Sequence, residues 1–206
     1  KSFMDAAAVN AKGGSPIAAE LALVDSISTI ADFISTFSQL EARGTSGIFG
    51  TFIYADMKDA STNILYLAQG GISLPDEAYY REEKYAEIRT AYLAHITAMF
   101  TLAKVSNPAE NAAKVMALET SIAGHHWDQV KNRDATLTYN KMNRTEVKAL
   151  MPAFDWEHYL AAGEIPAIVL DSVIVQQPSF FEGLGAILAN FDADAWKAWL
   201  KWHIIS

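Results

Sequence analysis

Along most of the chain, apolar residues recur at steps of three and four, the repeat of one helical face. Ile30, Phe33, Ile34, Phe37 and Leu40 carry it between Thr29 and Arg43, and Gly44 ends that helix. Ile17, Leu21 and Val24 mark a helix over Ile17–Ile27, with Ser15 as its cap and Pro16 in its first turn. Before it, an Ala-rich helix over Phe3–Lys12 stops at Gly13-Gly14. From Tyr80, a stripe of Tyr85, Ile88, Tyr92, Ile96 and Met99 predicts one long helix. Asn107-Pro108-Ala109-Glu110 combines a cap, a first-turn proline and an acid placed to reach back. The helix it opens carries Val115, Leu118 and Ile122 and is expected to reach about Lys131. Asn143-Arg144-Thr145-Glu146 repeats the cap-and-acid spacing before a short helix ending near Pro152, and Asp155 caps Trp156–Leu160. Two helices, Pro178–Phe191 and Ala193–Ile205, complete the pattern. Trp196, Trp199 and Trp202 share a face of the last one, a spacing that is core far more often than a ligand platform.

A different repeat interrupts the helices. Ile48–Tyr54 and Thr62–Leu67 are rich in β-branched and aromatic residues and flank the polar stretch Asp56-Met57-Lys58-Asp59. They predict a β-hairpin over about residues 48–67. Gln69-Gly70-Gly71 and Leu74-Pro75-Asp76 are loop and turn chemistry, and Ile165–Val175 fits an extended segment or a short strand. No internal repeat interrupts this order. The expected fold is mainly α, a multi-helix array with a small β-hairpin.

Composition narrows the function classes. The chain has 206 residues, 51% of them hydrophobic and 19% charged, enough apolar surface for a sizeable core and too little charge for a disordered chain. A net charge of −8 argues against a nucleic-acid surface, which needs clustered Lys and Arg. Cysteine is absent, which removes disulfides, thiol nucleophiles and thiolate metal sites and favours a reducing, cytoplasmic location over a secreted or cell-surface one. No apolar run approaches the ~18 residues of a membrane span. Lys1-Ser2-Phe3-Met4-Asp5 does not read as a signal peptide, and both ends look cut from a longer chain.

Candidate chemistry is sparse. Gly124-His125-His126-Trp127-Asp128 suggests zinc, but adjacent helical residues point ~100° apart and share one ion poorly. If the helix continues through this segment, His125 and Asp128 share a face, with Glu119 two turns before His126. H-E-x-x-H, which sets two ligands and a base on one face, occurs nowhere. His95 and His158 lack partners at ligand spacing, and His203 stands alone near the end. There is no G-x-S-x-G elbow. Gly44-Thr45-Ser46-Gly47 and Gly183-Leu184-Gly185 lack the strand context of a phosphate loop. Glu82-Glu83 and Asp192–Asp194 fit helix first turns, and Arg133-Asp134 a turn anchor. No catalytic, cofactor-binding or metal residue is assigned.

Several segments, in order, do resemble one family. Gln69-Gly70-Gly71-Ile72-Ser73-Leu74-Pro75-Asp76-Glu77-Ala78-Tyr79-Tyr80 is similar to the Q-G-G-L-x-L-P-D-x-x-Y-Y signature of the neprilysin-like metallopeptidases. Leu118-Glu119-Thr120-Ser121-Ile122-Ala123, Arg133-Asp134 and Thr138-Tyr139-Asn140-Lys141-Met142 resemble its L-E-x-x-I-A, R-D and x-Y-N-x-M run. Phe154-Asp155-Trp156, Gln177-Pro178-Ser179-Phe180-Phe181, Phe3-Met4-Asp5 and Gly14-Ser15-Pro16-Ile17 fall where the family has comparable stretches.

The resemblance covers nearly the whole chain and implies residues 1–206 are a piece of the helical N-terminal lobe of a zinc endopeptidase. In such enzymes this lobe encloses the active-site chamber and limits substrate size. It implies zinc on an H-E-x-x-H in a C-terminal lobe outside this chain, with that lobe and peptide substrates as partners. It implies no activity for this chain by itself and an apolar surface where the other lobe packs. The missing cysteines depart from the disulfide-rich animal ectoenzymes and point to a bacterial member. A free-standing helical interaction module, binding a partner through the tryptophan face, is the alternative; an independent metalloenzyme at His125 and His126 is a third reading.

Overall fold

Side-chain caps set the helix starts at many of the positions where the sequence offers Thr, Asp or Asn. The computed structural model describes residues 5–206, so the expected helical residues Phe3 and Met4 lie outside it. Asp5 accepts from the Ala8 amide and opens α1 (Ala6–Lys12). Ser15–Ile17 forms a 3-10 turn in which Ser15 caps nothing, so α2 runs Ala18–Asp25 rather than from Ile17. Thr29 and Asp32 cap each other's amides at the start of α3 (Ile30–Glu41). Hydrogen bonds from Ser28 and Thr29 hold the Asp32 carboxyl down to about 2. The same reciprocal box, Asn143 with Glu146, starts α8 (Arg144–Leu150), and Asp155 starts α9 (Trp156–Ala162). Asp192 accepts from the Asp194 and Ala195 amides and separates α10 (Pro178–Ala189) from α11 (Ala193–Ile205).

Two expected helices are broken by tertiary contacts. The long helix from Tyr80 is α4 (Ala78–Arg81), an extended Glu82, a 3-10 turn and then α5 (Ala86–Leu102). The Arg89 guanidinium donates to the Tyr79 and Glu82 carbonyls on either side of the break, and Glu82 also accepts from the Tyr85 amide. Consequently Ile88 is exposed, and the buried stripe is Tyr92, Ile96 and Phe100. Likewise α6 (Pro108–Ala123) ends at Gly124 instead of Lys131, and α7 (Gln129–Asn132) restarts with Asp128 as its cap. Asn107 does not cap α6. It sits in the left-handed region at φ 47°, and Glu110 pairs with Lys114 rather than reaching back.

The hairpin extends into a sheet. β1 (Phe49–Asp56) and β2 (Asp59–Gln69) pair antiparallel with Thr51 opposite Leu67 and Ile53 opposite Leu65. Two three-residue strands join them, β3 (Asn140–Met142) and β4 (Val173–Val175), in the order β1-β2-β4-β3. β4 runs parallel to β2 and antiparallel to β3, and its three residues are fully buried.

One face of this sheet and helices α3, α8, α9, α10 and α11 enclose the main core, which includes Phe33, Phe37, Phe49, Trp156, Phe180, Phe181, Trp196 and Trp199. A second cluster, with Tyr92, Ile96, Phe100, Val115 and Trp202, joins α5, α6 and α11. Ile64, Tyr66 and Ile174 form a third on the opposite sheet face. Trp196, Trp199 and Trp202 are therefore core, exposed by 1%, 0% and 3%, and present no partner-binding face. Burying a ring of this size removes about 150–250 Å² from water, roughly 4–6 kcal/mol before entropy is counted.

Candidate functional site

Glu119, in the second half of α6, has no exposed surface. An ion so placed costs several kcal/mol unless its oxygens are satisfied. Here the Ser73 hydroxyl donates at 2.7 Å, Tyr80 at 2.7 Å and Tyr92 at 2.8 Å. The Tyr80 oxygen in turn accepts from the Ser73 and Leu74 amides. Burial first, and then the neighbouring Glu119 charge, push the Tyr80 and Tyr92 phenols well above their ordinary value, so both stay donors. Trp202 donates its indole N–H to the Ser73 hydroxyl at 3.0 Å, and Trp199 donates to the Gly71 carbonyl at 3.2 Å. His203 lies tilted against Trp199 with ring centres 3.9 Å apart; its Nε2 stands 3.5 Å from Glu119 and has no hydrogen-bond partner.

The loop that enters this cluster is fastened from its other side as well. Gln69 exchanges two hydrogen bonds with the Trp127 backbone, and its own amide donates to the Gln177 side chain. His126 Nε2 lies 2.8 Å from the Gly70 carbonyl, which can only accept, so that nitrogen carries the proton. Burial lowers the His126 pKa, opposed by that hydrogen bond and reinforced weakly by His125. Gly71 holds φ 81°, and a Cβ there would lie 2.9 Å from the Ile48 carbonyl oxygen, so a side chain fits neither the torsion nor the space.

A second polar anchor ties the hairpin tip to β3. Asp56 is 1% exposed and accepts from Tyr139 at 2.8 Å, Lys141 at 2.9 Å and the Lys58 amide. Those hydrogen bonds, the Lys141 one foremost, hold its carboxyl at about 2.

The sequence candidates land as follows. His125 and His126 lie beyond the end of α6, not on a helix, so the shared face of His125 and Asp128 does not exist. His125 packs against Gly183, where a Cβ would meet its ring at 2.2 Å; Asp128 caps α7. His95 meets the edge of Trp202, and the His158 amide is engaged by Asp155. Asp134 accepts from the Thr136 amide and hydroxyl and so builds a turn, while Glu82 pairs with Lys84 at 2.7 Å. Among the described residues no three His, Cys, Asp or Glu side chains converge to hold a metal ion. These residues do not fit a zinc ion. A cleft of about 930 Å³ opens beside the Glu119 cluster, lined in part by Ser73, Tyr92, His95, Trp202 and His203. What sequence reasoning missed is Glu119 as a hub. Its signal was an acid between the buried Leu118 and Ile122, on the face that should be apolar.

The segments that meet at this cluster can be compared with known proteins. Residues 1–206 match the profile of the N-terminal part of Peptidase family M13. The chain belongs to this family. Mouse and human endothelin-converting enzyme 1 are each 25% identical over 170 residues, a stretch covering 78% of this chain and 22% of theirs. Mouse membrane metallo-endopeptidase-like 1 is 27% identical over 169 residues, 75% of this chain and 22% of that protein. Among solved structures, the Mycobacterium tuberculosis zinc metalloprotease Zmp1 superposes with a TM-score of 0.93 at 33% identity, over 98% of this chain and 31% of that one. PepO of Lactobacillus rhamnosis, 20% identical with a TM-score of 0.74 over 95% of this chain and 31% of its own, shares the fold. The M13 chain described here thus spans about a fifth to a third of these relatives. Of the residues that carry the resemblance, Gly71, Tyr80 and Glu119 lock the loop after β2 against α6 and α11, and Gln69 ties it to Trp127 and Gln177.

Proposed function

We propose that this chain is the N-terminal lobe of a zinc-dependent endopeptidase whose metal ligands lie on further polypeptide. In this reading it forms a wall of the chamber in which peptides are cut and excludes folded proteins. The observation that carries it is the family match over residues 1–206 by a chain spanning only 22–31% of its relatives. The wall role draws on the rigidity of the Glu119 lock, since a closed hydrolytic chamber needs walls that hold their shape and keep bulk water out. Zinc, where bound, would polarise the scissile carbonyl and activate water. The residues described here would contribute shape and access.

The test is cleavage of a short quenched-fluorescent peptide and of a folded protein by the full gene product. Peptide cleavage should vanish with chelator and return with zinc, while the folded protein survives. The 206-residue chain by itself should cut neither. Zinc-dependent hydrolysis by this chain alone, or equal attack on folded protein, would overturn the reading.

A further inference from the structure

β1 is the outermost strand of the sheet, and no strand pairs with its free edge among the described residues. Natural edges are guarded by charge, proline or a covering element. Between Thr51 and Tyr54 this one carries none of the first two, and Phe52, Ile53 and Tyr54 are 44%, 65% and 68% exposed. On the Thr51–Ile53 face a cavity of about 210 Å³ opens beside the strand. Leu65, Leu67, Trp156, Leu160 and Val169 line it together with the strand. Trp156, 1% exposed, keeps an indole N–H buried without an acceptor. An unguarded edge and a side-chain-sized apolar hole beside it are the components of strand-addition recognition. In that mode main-chain hydrogen bonds supply affinity and a pocket for alternate side chains supplies selectivity.

We infer that the free edge of β1 is a docking site for an extended peptide, one of whose apolar side chains fills the cavity beside Trp156. The inference rests on the reading above, that the whole protein handles peptides, and it places a binding subsite on this lobe. Size selects this occupant. The exposed run of four residues is about 13 Å long. With a single hole, it falls well short of the ~800 Å² per partner that a stable protein–protein interface buries. A short strand needs no more than this.

The experiment uses the full gene product stripped of zinc, so that binding is read without cleavage. The probe is a fluorescein-labelled peptide of about eight residues, alternating Thr and Val around one Phe with lysines at its ends. Fluorescence anisotropy should give saturable binding, weakened at least tenfold by Ile53→Lys and about threefold by Trp156→Phe. N-methylating every second amide should abolish binding in one phase and spare it in the other, because only alternate residues face a strand edge. Ile53 is mostly exposed, so circular dichroism of Ile53→Lys should match the parent. Binding indifferent to Ile53→Lys and to both methylation phases would overturn the inference. So would absent binding combined with a lowered thermal midpoint in Ile53→Lys, which would mean that further polypeptide already covers the edge. Absence of zinc-dependent cleavage would instead strike the peptidase reading, and leaves this binding measurement intact.

Discussion

The loop of residues 69–80 and the strand β1 adjoin in space, yet they treat their side chains in opposite ways. In the loop, polar groups are buried and matched: Ser73, Tyr80 and Tyr92 converge on Glu119, and Gln69 pairs with Trp127. Along β1, apolar groups are exposed: Phe52, although stacked on Tyr66, and Ile53 and Tyr54 face solvent where each would gain by burial. Gln69, Gly71 and Tyr80, which carry part of the family resemblance, lie in the first region and hold the fold. The second region bears no motif. Recognition by sequence pattern therefore finds the lock, while exposure in three dimensions finds the surface that remains free.

The contrast breaks most visibly at Glu119. Glu119→Ala leaves the Tyr80 and Tyr92 hydroxyls and the Ser73 hydroxyl facing a hole in a buried site. The expected loss is about 3–5 kcal/mol of unfolding free energy, because unpaired buried donors and a cavity add. Urea denaturation measures it; a loss below about 1 kcal/mol would mean that the lock is not what holds the loop.

Much of this was legible in sequence, and the exceptions have physical causes. The cap chemistry of Thr29, Asn143 and Asp155 is local, so sequence alone placed those helices within a residue or two. The long helix from Tyr80 and the extension of α6 to Lys131 failed because remote groups won. Arg89 stabilises the break at Glu82, and Gln69 draws Trp127 out of the helical path. β4 lies inside the Ile165–Val175 stretch expected to be extended or a short strand, whereas β3 is three residues, too short for an alternation to register, and exists because β4 offers it a pairing edge. Of the candidate site, the signature segments themselves were legible, Gln69 to Tyr80 and Leu118 to Ala123 among them. The hub at Glu119 was not, because its partners come from the loop after β2 and from α4 and α5, all remote from its own helix in sequence.

A smaller effect sharpens the comparison at the loop's other fastening. Burial holds the His126 pKa below its ordinary 6.5, and the neutral ring donates to the Gly70 carbonyl. Below pH 6.5 the unfolded chain binds a proton that the folded one resists, so stability should fall as pH drops from about 7 toward the folded value. The slope cannot exceed about 1.4 kcal/mol per pH unit from this group. His126→Gln keeps a donor to Gly70 but does not titrate; denaturant midpoints across pH 5–7.5 should show a flatter profile for it, and identical profiles would remove His126 from the lock.

The smallest expected effect lies on the strand. Tyr54 is 68% exposed and forms no part of the buried clusters. Tyr54→Thr trades an aromatic for a β-branched residue that suits an edge strand equally well. Its unfolding free energy should stay within about 0.5 kcal/mol of the parent, the range of surface changes away from special features. Binding of a hydrophobic dye to the 206-residue chain should nonetheless decline, because this ring is part of the exposed apolar run. A change that leaves stability untouched while lowering dye binding separates a surface kept for contact from one kept for folding. If Tyr54→Thr instead cost as much as a core truncation, β1 would belong with the loop, and the division between the two regions would fail.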